Sequence, residues 1–232
     1  MRVCALVLVV LAVPSTALAA ARCPAGAGGG ATLADIDGET RLGWIDARLT
    51  RTARKARLYT WGWGIGIGGA TIANIVPLAF VSKGDRIDWY TGAGTTIIGI
   101  VPLLIAPLDV VEDARAMHAG VAAAPPGDDV CVRLADAETR LARDAKNQQD
   151  GQRWWLHVAN VVLNTGVGLF LGLGYHHWGA GALNAVTGTI IGELIIYTQP
   201  TDTIADLRRY QQGALSDEKA LSMWGVGYGG RF

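Results

Sequence analysis

The sequence predicts an all-α integral membrane protein: a bundle of four transmembrane helices formed by a duplicated helical hairpin with flanking charged helices. Three observations lead there. Half of the 232 residues are hydrophobic and 17% are charged, against about 25% charged in an average soluble domain. Four apolar runs are each long enough to cross a hydrocarbon core of about 30 Å at 1.5 Å per residue. The second half of the chain also repeats motifs of the first. The 31 glycines and 8 tryptophans point the same way, because Gly is more frequent in membrane helices and Trp favours membrane interfaces. A β-barrel would need strands of about ten residues with alternating polarity, which Ile97-Ile98-Gly99-Ile100-Val101 does not show.

Residues 1–19 read as an export signal. Arg2 supplies the positive end, Cys4 to Val13 the apolar core, and Ala17-Leu18-Ala19 the small-x-small cleavage pattern. A Gly/Ala linker, 20–31, follows. The first repeat, 32–115, opens with a charged stretch from Thr32 to Arg57. There Leu33, Ile36, Leu42, Ile45 and Leu49 are spaced for a helix, and Arg51, Arg54, Lys55 and Arg57 crowd the end. The first span is expected over Leu58 to Val81, a polar loop over Ser82 to Asp88, and the second span over Trp89 to Leu108. Pro77, Pro102 and Pro107 interrupt this hairpin, and each removes a backbone donor. A linker, 116–131, leads to the second repeat, 132–210. Its spans are Trp154 to Tyr175 and Ala180 to Thr198, joined by His176-His177-Trp178-Gly179. The tail, 211–232, is polar.

The repeat rests on matched residues. Thr96-Ile97-Ile98-Gly99 recurs 93 residues later as Thr189-Ile190-Ile191-Gly192. At the same offset Pro107, Asp109, Asp113 and Arg115 match Pro200, Asp202, Asp206 and Arg208. These make 8 identities over 20 positions, where average residue usage gives roughly one or two. Trp61 and Trp154 also match. Upstream, Asp37-Gly38-Glu39-Thr40-Arg41-Leu42 matches Asp136-Ala137-Glu138-Thr139-Arg140-Leu141 at an offset of 99. The changed offset places an insertion or deletion between charged helix and first span. Two crossings per unit would make the repeat parallel, unlike the inverted repeats of many transporters.

Zero formal net charge leaves no global field to recruit nucleic acid. Gly64-Ile65-Gly66-Ile67-Gly68-Gly69 contains a Gly-x-Gly-x-x-Gly pattern, but a dinucleotide site needs a strand before it, and this one lies inside an apolar helix. Close helix packing is the expectation for the small-xxx-small pairs Gly62/Gly66, Gly64/Gly68, Gly168/Gly172 and Gly188/Gly192. His176-His177 lacks nearby carboxylates and reads as an interfacial loop. No cofactor or metal is expected. Glu193 is the one acidic residue inside a span, with Asn160, Asn164, Asn184 and His157 as polar partners in the same hairpin. An intramembrane carboxylate is costly and marks either a site or a packing bond. The acidic sets Asp109/Asp113 and Asp202/Asp206, each four residues apart, are expected to pair with the basic ends of the charged helices. Cys23 and Cys131, the two cysteines left after signal removal, are expected to form a disulfide.

The expected function is a non-enzymatic structural or assembly role in the bacterial cell envelope, the abundance of Arg and Ala suggesting a GC-rich bacterial gene. The alternative is a small channel or transporter using Glu193. The partners are the lipid bilayer and a second copy or another membrane protein. The expected location is the inner membrane with the charged regions in the periplasm. That follows the signal, although the basic residues before the first span favour the opposite orientation.

Overall fold

The computed structural model describes residues 22–25, 31–105, 108–123 and 129–215. The export signal, most of the 20–31 linker, Pro107 and the tail beyond 215 lie outside the described residues. Within them the secondary structure is helical throughout, without a strand.

A short helix α1 (Ala31–Ala34) precedes α2, which runs unbroken from Gly38 to Ile75. The expected charged helix and first span are therefore one helix of 38 residues, about 57 Å long. Asp37 caps it, accepting from the Thr40 N–H at 3.1 Å. No proline lies within the helix; the next is Pro77, in a 3₁₀ turn (Val76–Ala79) that ends it. Helix α3 (Arg86–Ile105) turns back against α2, and α4 (Val110–Ala123) follows. Helix α5 (Val130–Asp150) carries the second charged stretch. Unlike α2 it stops, at Gly151-Gln152-Arg153, before α6 (Trp154–Tyr175). That break falls where the offset between the matched motifs changes. Helices α6 and α7 (Trp178–Thr198) form the most extensively packed pair, and α8 (Asp202–Gln211) follows the buried Pro200.

Three stretches, not four, are long and apolar enough to cross a membrane: Gly38–Ala79, Trp154–Tyr175 and Trp178–Gln211. Only 6%, 17% and 6% of their apolar windows are buried within the chain. Side chains such as Ile65, Leu173 and Leu183 are left facing outward. Such outward apolar surface on helices of spanning length points to a membrane protein. Helix α3 is the correction. Its first half holds Arg86, Asp88, Thr91 and Thr95, so its continuous apolar run begins only at Ile97.

The hydrophobic core lies at the charged ends of these stretches, away from their apolar windows. The charged half of α2 packs against α4, α5 and α8 around Leu42, Ile45, Leu49, Val110, Leu134 and Leu141. Both ends of the amphipathic pattern are thereby used: apolar stripes meet each other, and charged faces meet water. Cys23 and Cys131 are joined by a disulfide that ties the segment before α1 to the start of α5.

Candidate functional site

Glu193 lies on the face of α7 turned to α6. Its carboxylate sits 2.6 Å from His157 Nδ1 and accepts from Asn160 Nδ2 at 2.9 Å. Asn160 also donates to the Thr189 carbonyl at 3.0 Å. Asn164, one turn further along α6, donates to the Asn160 side chain at 2.8 Å. Three of the four partners expected from sequence thus share one network. Asn184 does not join it; its amide donates to Ala180 O within α7. His and Asn lie three residues apart on α6, so both face the same neighbour.

The glycines around the network explain why it is close. A Cβ at Gly192 or Gly188 would collide with Asn160 or Asn164. At Gly168 it would lie 2.8 Å from the Gly181 carbonyl oxygen and 2.9 Å from Ala185 Cβ. At Gly172 it would enter the Trp178 ring. These four glycines set the α6/α7 approach. Gly62 and Gly66 behave differently from the expectation of close packing: a Cβ at either would meet nothing within 4 Å. Small size alone does not bring a partner helix, and α3 lies along a different face of α2.

The acidic sets reach the charged helices crosswise. Asp113 on α4 accepts from Arg140 Nη1 at 2.8 Å and Arg143 Nη2 at 2.6 Å on α5, and Asp109 accepts from Asn147. Asp202 meets Lys55 Nζ at 2.7 Å and Asp206 lies 3.7 Å from Arg48 Nη1, both on α2. Each set therefore bonds the charged helix of the other half of the chain. Asp144 was not singled out in the sequence. It is 1% exposed, and neither of its oxygens meets a donor. Burial first, then the adjacent Asp113 carboxylate, push its carboxyl up to about 8. A protonated Asp144 can turn its own O–H toward Asp113.

A second unforeseen centre is Arg41, whose guanidinium is wholly buried. It donates to Tyr210 Oη at 2.9 Å, to the Cys23 carbonyl at 3.1 Å and to Glu138. Tyr210 also donates to Glu138. Arg133 reaches Glu39 at 3.2 Å. The matched motifs Asp37–Leu42 and Asp136–Leu141 therefore bind one another through Arg41–Glu138. The match itself carried that signal, since it contains both residues.

No family model, curated protein or solved structure significantly matches this chain. Among the described residues no group of three or more His, Cys, Asp or Glu side chains could hold a metal ion. His177 lies 2.7 Å from Asp88 at the start of α3, while His176 adopts left-handed backbone (φ 60°) at the end of α6. The geometry can do two things chemically: hold helices together by hydrogen bonds at membrane depth, and hold a proton within the charged bundle.

Proposed function

We propose that this chain is a non-enzymatic membrane protein with a structural or assembly role in a bacterial cell envelope. In this reading it is built from two copies of one unit, and its charged bundle stands on the oxidising side. The observation that carries it is the satisfaction of Glu193. A carboxylate that serves ions must face water. Here its two oxygens are taken by His157 and Asn160 of the neighbouring helix, which is how a packing bond behaves. The Cys23–Cys131 disulfide supports the oxidising side, and the buried ion pairs around Arg41 and Asp113 suit a rigid body more than a moving gate.

The channel or transporter reading draws on one observation: Asn160, the partner of Glu193, also faces the space between α2/α3 and α6/α7. Ion and proton flux through reconstituted wild-type and Glu193→Gln protein separates the two. The structural reading expects no flux above that of empty vesicles for either protein, with equal folding and membrane insertion. Flux in the wild type that Glu193→Gln abolishes, with insertion intact, makes the channel the correct reading.

A further inference from the structure

We propose that the space between the two helix pairs holds one acyl chain of a bilayer phospholipid, with its headgroup beside Lys55. The inference rests on insertion of α2, α6 and α7 in a membrane. It does not depend on the structural role.

The pairs α2/α3 and α6/α7 are pinned to each other at both ends. At the end near the charged bundle, Tyr59 Oη donates to the Ile195 carbonyl at 3.0 Å and Trp63 Nε1 donates to Thr198 Oγ1 at 2.9 Å. At the other end His177 meets Asp88 at 2.7 Å. Between these pins the pairs part and leave a cavity of about 550 Å³. Small-molecule sites fall at roughly 300–1,000 Å³. Gly66, Ile67, Ala70, Ile98, Gly99 and Ile191 represent its predominantly apolar wall.

The polar side chains on that wall have no donor to spare. Thr95 donates to Gly92 O at 2.9 Å, and the Thr96 hydroxyl lies 2.8 Å from Thr71 Oγ1 and within reach of Gly92 O. Asn160 donates to Thr189 O and Glu193, Asn164 to Asn160, and Trp63 to Thr198. Water in a cavity needs two to four free polar partners, and an ion or sugar needs more. The wall accordingly suits an apolar occupant, and the apolar solute that surrounds a spanning helix is the lipid chain.

The source is a phospholipid because the cavity has a polar neighbour at the boundary. A second groove of about 570 Å³ is lined by Lys55, Tyr59, Gly62, Trp63 and Thr198, so Trp63 faces both spaces. Lys55, Tyr59, Gly62, Gly66 and Ala70 follow steps of three or four and form one stripe along α2. The Lys55 side chain is 51% exposed. Its bond to Asp202 uses one of three ammonium donors, leaving others for a headgroup phosphate.

Gly66 and Gly99 make the space, and a Cβ at either meets nothing within 4 Å. A phenylalanine there would project from an unobstructed Cβ into the cavity that both glycines line. The test uses the full chain inserted in phosphatidylglycerol vesicles, extracted in mild detergent, washed free of bulk lipid and weighed by native mass spectrometry. Membrane insertion is checked first by carbonate extraction, so a chain that never inserts is recognised separately. The wild type should retain one phosphatidylglycerol per chain, and Gly99→Phe and Gly66→Phe should each lower retention by roughly tenfold, equivalent to about 1.4 kcal/mol. Gly69→Phe, which also meets nothing within 4 Å but lies off the cavity wall, should retain it. An inserted wild type that carries no lipid, or carries a free fatty acid instead, overturns the proposal. So does equal retention by wild type and a folded Gly99→Phe or Gly66→Phe. If both variants fail to insert, the wild-type stoichiometry decides alone.

Discussion

Replacing Asp144 by asparagine should change how stability depends on pH. Asp144 is buried on α5 against α4, with Asp113 on α4 and Asp109 just before that helix as neighbouring carboxylates and Arg143 beside it on its own helix. Its carboxyl holds its proton up to about 8, against 3.8 ordinarily, because burial and then Asp113 oppose the charged form. Between those two values the folded chain carries a proton that the unfolded chain has released. The contribution of this proton is complete below the unfolded value and is lost as pH rises toward the folded one. A full proton of difference gives a slope of about 1.4 kcal/mol per pH unit. Two pH units in the middle of that window thus correspond to about 2.7 kcal/mol. Asparagine preserves shape and cannot ionise, so its variant should lack this descent. The assay is denaturant unfolding in detergent, followed by circular dichroism at several pH values between 5 and 8. The difference between wild type and variant isolates Asp144, because all four histidines are present in both. Parallel pH profiles for the two proteins would refute the reasoning.

Two further outcomes follow from the packing. Cys131→Ser opens a loop of 108 residues, and the chain-entropy account assigns about 4.7 kcal/mol to a loop of roughly 100; the variant should unfold at markedly lower denaturant, and an unchanged midpoint counts against the disulfide as a major support. Gly168→Leu must enter a space where even a Cβ lies 2.8 Å from Gly181 O; overpacking of this kind costs about 1–3 kcal/mol, so a melting temperature in detergent equal to that of the wild type would show that α6 and α7 do not meet there.

Arg41 shows how far the sequence was legible. Its motif stood out because Asp37–Leu42 resembles Asp136–Leu141, and that likeness marked the residues without saying what they meet. The partner of Arg41 is Glu138 in the other motif, 97 residues away, and sequence spacing has no term for such a distance. Glu193 was more accessible. A carboxylate inside an apolar run must find polar company in the facing helix, and His157 and Asn160 were among the few groups within reach. Asp144 was invisible, since a charged-helix aspartate reads as solvated until a neighbouring helix covers it. Helix α3 failed as a span for a graded reason: its polar first half is a matter of degree that an apolar run from Trp89 conceals.

Local patterning by itself determined that the chain is helical, that long apolar stretches separate charged ones, and that two cysteines lie where a bridge is possible. Those properties follow from periodicity and hydropathy, which are carried by residues within a few turns of each other. Only the tertiary structure decided that the acidic sets cross to the opposite half, that α2 runs on without a break where α5 stops, and that Gly168 packs while Gly66 lines an open space. Each of those depends on which helix arrives from elsewhere in the chain and at what distance. A hydrogen bond or a steric contact is made or missed within about an ångström, a scale that periodicity along one helix does not set.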